Sequence, residues 1–173
     1  MKNNIREEFY DNGQLKMKGN YFEGREHGLF EIYHSNGQLK AKLNYNNGKI
    51  DGVLEQYYKN GQLASKIPYK DNKIDGEFSE FHENGNLKSQ SKYDNGLLNG
   101  RLTMFHLDGK LSFATDYLNG VKYGSHISYW ENGNLFESCF YENGLLNGPF
   151  ECYDEYGILV KECIYRNGIE MDI

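Results

Sequence analysis

The chain has 173 residues, a length that suits one globular domain, yet only 38% are apolar, low for a single closed core. Fifteen tyrosines and 20 glycines against two prolines point to short strands joined by tight turns and exclude disorder. The formal charge of −6 argues against nonspecific nucleic-acid binding and against an anionic membrane surface.

In chain order, the first eight residues carry no apolar leader, and no later apolar run reaches membrane-spanning length, so a soluble cytoplasmic protein is expected. A repeating unit begins at about residue 7. Phe9, Asn12-Gly13, Leu15, Tyr21, Gly24 and Gly28 mark its first copy, about 7–30. The same marks return every 24 residues without insertion or deletion in units at about 31–54, 55–78, 79–102, 103–126, 127–150 and 151–173. Gly13, Gly37, Gly61, Gly85, Gly109, Gly133 and Gly157 fix the step. Asn precedes five of these glycines; Asp108 and Tyr156 precede the other two. Two residues after each glycine stands a Leu, eight after it a Tyr, and four before it a Phe or Tyr. A second series runs Gly24, Gly48, Asn72, Gly96, Gly120, Gly144, Gly168, and a third from Gly28 to Gly148.

Each unit therefore holds two runs of about seven residues between glycine turns, a β-hairpin signature. A two-residue loop at Asn132-Gly133 would pair Tyr129 with Phe136. A three-residue loop, Glu131-Asn132-Gly133 with left-handed Gly133, pairs Tyr129 with Leu135 and so sets the two unvarying apolar positions opposite each other. The second is expected. Phe30, Leu54, Phe78, Leu102 and Phe150 lie three residues before the next conserved aromatic, an odd step. Either both faces carry apolar rows or a bulge resets the register. The predicted fold is all-β: an elongated, solenoid-like, single-sheet antiparallel meander of thirteen or fourteen strands, treated as one repeat array over 1–173. Pro149 follows a turn glycine and suits the start of a strand; Pro68 marks a bulge or an unpaired amide.

Segments such as Tyr33-His34-Ser35-Asn36-Gly37-Gln38-Leu39-Lys40 followed by Asn44-Tyr45-Asn46-Asn47-Gly48-Lys49-Ile50-Asp51-Gly52 resemble the bacterial variant of the MORN repeat, and similar units recur at 57–76, 81–100 and 129–148. Proteins of this appearance are grouped with the YwqK family of toxin–antitoxin antitoxins. The resemblance covers about Glu7 to Gly168. It implies an elongated β-hairpin sheet and protein binding, and it supplies no catalytic residues.

The residues themselves offer little chemistry. His34, His82 and His106 share one repeat position with Tyr10, Tyr58 and Trp130, about 9–10 Å apart per repeat, too far for two to hold one zinc. They read as an aromatic row. Cys139, Cys152 and Cys163 form no Cys-x-x-Cys pair and read as small apolar residues; three, an odd number, suggest no disulfide framework. The glycines follow hairpin spacing rather than a phosphate loop, and Asp71–Gly76 lacks the ligand alternation of a calcium loop. No enzyme, cofactor or metal is expected.

Departures from the repeat concentrate late in the chain. His126 replaces the usual Phe or Leu, Trp130 is the single tryptophan, and Phe113, Phe136 and Phe140 stand where other repeats mostly carry small or polar groups. Residues 131–173 hold nine acidic groups against Lys161 and Arg166. Trp130, Glu131, Phe136, Glu137, Phe140, Asp154 and Glu155 are therefore the candidate partner-binding residues, suited to a basic protein. With the resemblance, the expectation is an antitoxin or immunity protein that neutralises a basic toxin; the alternative is a general or envelope-associated assembly scaffold.

Overall fold

The computed structural model describes residues 3–171, and all regular structure among them is β-strand. The chain divides into two compact units, Met1–Asn86 and Leu87–Ile173. The first holds β1 (Asn3–Phe9), β2 (Leu15–Phe22), β3 (Arg25–Tyr33), β4 (Leu39–Asn46), β5 (Lys49–Ile50), β6 (Gly52–Tyr57), β7 (Leu63–Lys70), β8 (Lys73–Ile74) and β9 (Gly76–Phe81). The second holds β10 (Leu87–Asp94), β11 (Leu97–Leu98), β12 (Gly100–Phe105), β13 (Leu111–Leu118), β14 (Val121–Tyr129), β15 (Leu135–Glu142), β16 (Leu145–Tyr153), β17 (Leu159–Arg166) and β18 (Ile169–Met171). Within each unit the strands pair in sequence order and antiparallel, as a meander. β5/β6, β8/β9 and β11/β12 are single hairpin legs interrupted at a bulge, so the eighteen segments make fifteen legs, against the thirteen or fourteen expected.

Two turn types alternate. At the Asn-Gly turns Gly133 N–H donates to the Trp130 carbonyl (2.9 Å) and Trp130 N–H to the Asn134 carbonyl (2.8 Å), with Gly133 at φ +92°. This is a three-residue loop with a left-handed glycine, and Tyr129 pairs with Leu135 as the spacing requires. The other turns are two-residue loops with positive φ at both centres, such as Glu23 (49°) and Gly24 (85°) between paired Phe22 and Arg25. Asp71 and Asn72, at 50° and 69°, make the same turn without glycine, since Asx side chains tolerate the left-handed region.

The odd step meets a bulge on the partner strand. Ile32 pairs with Ala41 but Tyr33 with Leu39, so Lys40 is an extra residue that resets the register of β4. β3 has no extra residue between Phe30 and Tyr33, so these two face opposite sides, and Tyr33 Oη donates to Glu31 on its own face. The same shift recurs beside Phe9, Tyr57, Phe105, Tyr129 and Tyr153. A larger bulge sits at the third glycine series: Gly19 pairs with Phe30 but Tyr21 with Glu26, around Gly28 at φ +86°. Pro68 lies opposite such a bulge. Its carbonyl accepts from Asp75 N–H (2.9 Å), and in an extended residue the amide position faces the same way, so the missing donor falls where the ladder is already broken. Pro149 lies inside β16, directly after the bulge residue Gly148, rather than at its start.

The main core row runs, across the second unit, Leu102–Thr115–His126–Cys139–Phe150–Cys163, each paired with the next, so large and small residues alternate between neighbouring strands. Ala41, Ser65 and Ser89, two residues before the row position on their strands, are buried as well, and Ala114, next to Thr115, is buried on the other face. In the first unit Gly19, Phe30 and Leu43 are paired in the same way. Phe30 is 5% exposed, with its ring edge-on to Tyr21 and Tyr45 at 5.3 and 4.7 Å. A Cβ at Gly19 would lie 2.2 Å from that ring, so the glycine makes its room. Cys139 and Cys163 are buried spacers in this row, while Cys152 is half-buried. Burying a side chain such as Phe30 stabilises by about 1.5–3 kcal/mol, and few residues are buried so completely.

Candidate partner-binding site in the second unit

The aromatic row at the hairpin tips is a hydrogen-bond ladder between repeats. Tyr10 Oη donates to the Tyr33 carbonyl, Tyr58 Oη to Phe81, and Trp130 Nε1 to Tyr153, at 2.7, 2.7 and 3.1 Å. His34 Nε2 and His106 Nε2 face the Tyr57 and Tyr129 carbonyls at 3.0 and 3.4 Å. A carbonyl only accepts, so those nitrogens carry the proton. The turn Asn forms a second ladder. Asn36 Oδ1 accepts from Gln38 N–H in its own turn, and its Nδ2 donates to the Lys59 carbonyl of the next. Asp108 keeps the first bond, to Lys110 N–H, but a carboxylate has nothing to donate to the next turn.

Trp130 is thus a structural rung as well as a surface residue, 36% exposed, its ring centroid 4.5 Å from that of Phe136. Trp130, Glu131, Asn132 and Glu155 line a cleft of about 630 Å³ at the tips. Phe136 is the extra residue of the bulge between β14 and β15, where Lys16 and Lys40 stand in the first two repeats.

On the core face a second recess, of about 390 Å³, is lined by residues including Phe113, Thr115, Lys122, His126, Ser128, Tyr129 and Phe136. Register explains it. Phe113 pairs with Ser128 and Ser128 with Glu137, so a short serine lies between two longer side chains where Ile32, Gln56 and Met104 stand in other repeats. Beside it His126 occupies the place of a core Phe and keeps an edge-on contact to the conserved Tyr, here Tyr141 at 6.2 Å. Its Nδ1 is 2.6 Å from Thr115 Oγ1, and its Nε2 is 3.7 Å from Glu137 Oε1. The tautomer that suits both neighbours has Thr115 donating to Nδ1 and Nε2–H directed at Glu137. Burial lowers the His126 pKa, against the Glu137 charge, which raises it; Lys122 lowers it further. Burial, then Glu137, pushes the Cys139 thiol up to about 12, and Cys139 Sγ donates to Glu137 Oε1 at 3.5 Å. Tyr141 is likewise pushed up to about 12, chiefly by burial. Lys122 lies at the far end, its Nζ over the Tyr141 ring at 4.5 Å.

Thr115, His126 and Glu137 stand in the order of a nucleophile, a base and its orienting acid. Thr115 and Cys139 are each 1% exposed, and burial keeps the proton on the Cys139 thiol. The recess has aromatic walls and a polar floor, with the Glu137 carboxylate beside His126. Among the described residues no group of three or more His, Cys, Asp and Glu is placed to hold a metal ion, and no helix is long and apolar enough to cross a membrane.

Of the seven residues singled out from the sequence, Trp130, Glu131 and Glu155 meet at the tip cleft, Phe136 lines the recess, and Glu137 lies beside it, 3.7 Å from His126. Asp154 is occupied within its own turn, its Oδ1 accepting from the Tyr156 and Ile158 amides. Phe140, 46% exposed, pairs with Ser125 and alternates with the core residues Cys139 and Tyr141, which sets it on the opposite face. Ser128 and Thr115 belong to the site and were missed. The signal was in the column of Ile32, Gln56, Met104 and Ser128, where volume is lost just where Phe113 and Phe136 gain it.

Hairpins of 24 residues, joined by alternating turn types and tied by tip ladders, define a β-hairpin repeat protein. The MORN repeat variant family matches the chain at residues 2–23, 26–47, 50–71, 74–95 and 122–143, well over half its length, and the chain belongs to that family. The stretches between 95 and 122 and beyond 143 fall outside the match yet keep the same turns and bulges. No curated protein matches the chain. MORN repeats are in general protein- or membrane-binding motifs.

Proposed function

We propose that this chain is a non-enzymatic protein-binding scaffold that acts in the cytoplasm as an antitoxin or immunity protein, neutralising a basic toxin by direct binding. One observation carries the reading. The Trp130–Phe136 pair joins the tip cleft to the core-face recess; Glu131 and Glu155 line the first, and Glu137 stands beside the second, 3.7 Å from His126. Half-exposed aromatics beside carboxylates suit an interface that buries ring area and steers a cationic partner. The step from a basic partner to a toxin rests on the resemblance to antitoxins and on the net charge of −6.

Affinity capture from the native cell, followed by expression of the captured protein alone and together with this chain, tests the proposal. The expected result is a basic protein that arrests growth alone and is harmless in company. A captured partner that is harmless by itself would replace the antitoxin reading with that of a general assembly scaffold. Turnover of a substrate by the purified chain would overturn the non-enzymatic part.

A further inference from the structure

We infer that the recess over Ser128 is the socket for an arginine or lysine side chain of the protein partner, walled by Phe113 and Phe136, with the Glu137 carboxylate on the strand paired with Ser128. The inference rests on the proposal that the partner is a basic protein and names where its cation is read.

The repeat supplies its own control. At the bulge position Lys16, Lys40, Ala64, Lys88 and Ser112 give way to Phe136, which adds a ring. On the core face Ala41, Ser65 and Ser89 give way in the next two repeats to Phe113 and then Glu137, a second ring and an anion. Between these two Ser128 is short where Ile32 and Met104 are long, and that opens the hollow. These changes act together: they add a carboxylate and supply π faces, the groups that hold a cation, while Lys122, where other repeats carry Ile50, Leu98 and Leu146, is held at the far end by Tyr141.

Glu137 has hydrogen-bonding neighbours but, among the described residues, no cation beside it. Its side chain is 24% exposed, accepts from the Cys139 thiol and faces His126 Nε2. Its neighbours here are an imidazole that burial keeps neutral and a protonated thiol. The nearby cation, Lys122, is committed to Tyr141, with Nζ 3.4 Å from the hydroxyl. A guanidinium or ammonium entering over Ser128 supplies the missing charge. At about 390 Å³ the recess lies within the roughly 300–1,000 Å³ of small-ligand sites.

The test is titration of the full ¹⁵N-labelled chain with N-acetyl-arginine amide, with N-acetyl-citrulline amide as the uncharged isostere and N-acetyl-glutamate amide as the opposite charge. Saturable amide shifts centred on Ser128, Phe136 and Glu137 are expected with arginine, and binding at least tenfold weaker with citrulline. Glu137→Gln and Ser128→Ile should each abolish them. Ser128→Ile restores the residue of the second repeat, so its spectrum should keep the wild-type dispersion and report on the socket rather than on folding. Equal binding of citrulline, preferential binding of glutamate, no saturable shift with any ligand, or an unaffected Glu137→Gln variant would each overturn the inference. If a captured partner binds Ser128→Ile as tightly as wild type, the socket fails and the scaffold proposal stands. If no partner exists, that proposal fails and the arginine titration still decides the socket.

Discussion

Trp130 shows how one side chain serves both the stack and the surface. Its indole N–H bridges to the Tyr153 carbonyl as the tyrosine hydroxyls of other repeats do. Trp130→Phe removes the donor and should cost about 1 kcal/mol in thermal or urea unfolding, whereas Trp130→Tyr should retain most of that stability because Tyr10 and Tyr58 already make the bond. At Gly133 a Cβ would meet nothing within 4 Å, so the cost of a side chain is the backbone conformation alone at φ +92°. Gly133→Ala should therefore lower stability by about 1–2 kcal/mol, and Gly133→Asn by less. His126 carries a pH dependence. Burial lowers its folded-state pKa, so below the unfolded value near 6.5 the unfolded chain takes up the proton first. The stability present above that pH is lost as pH falls toward the folded pKa. His126→Phe, which installs the residue that Phe30 and Phe150 provide at this repeat position, should lose less stability than wild type between about pH 7.5 and 5.5 in parallel melts.

At the scale of the hairpin, the turn Asn ties each loop to itself and to the next. Asn36→Asp keeps the acceptor for Gln38 N–H and deletes the donor to Lys59, and should cost about 1 kcal/mol; Asn36→Ala deletes both and should cost more. Much of this level is legible in sequence. The three-residue loop followed from requiring Tyr129 opposite Leu135; the second glycine series marked the other turns, but their two-residue length comes from the pairing. The bulges were not legible, because a three-residue step between Phe30 and Tyr33 fits either two apolar faces or a register shift, and only the pairing shows that both occur, the extra Lys40 on β4 bringing Leu39 onto the Tyr33 face. The recess was half legible. Phe113, His126, Phe136 and Glu137 are each visible as departures, but they lie on three strands, and register rather than sequence distance gathers them around Ser128.

For the whole chain, a charge of −6 with its acid gathered in the last repeats favours a basic partner and a salt-dependent encounter. Association should slow as ionic strength rises, with dissociation little changed, because screening weakens steering more than close contact. Trp130→Ala should act the other way, through faster dissociation, with a loss of about 2 kcal/mol, roughly thirtyfold in affinity. The central claim is that the second unit binds through its departures from the repeat. It is tested most directly by measuring, with surface plasmon resonance, the affinity of a captured partner for the chain carrying His126→Phe, Ser128→Ile and Phe136→Lys, residues that other repeats bear at those positions. The account predicts a melting temperature at or above that of wild type and a dissociation constant at least tenfold larger; a folded triple variant that binds as wild type does would contradict it.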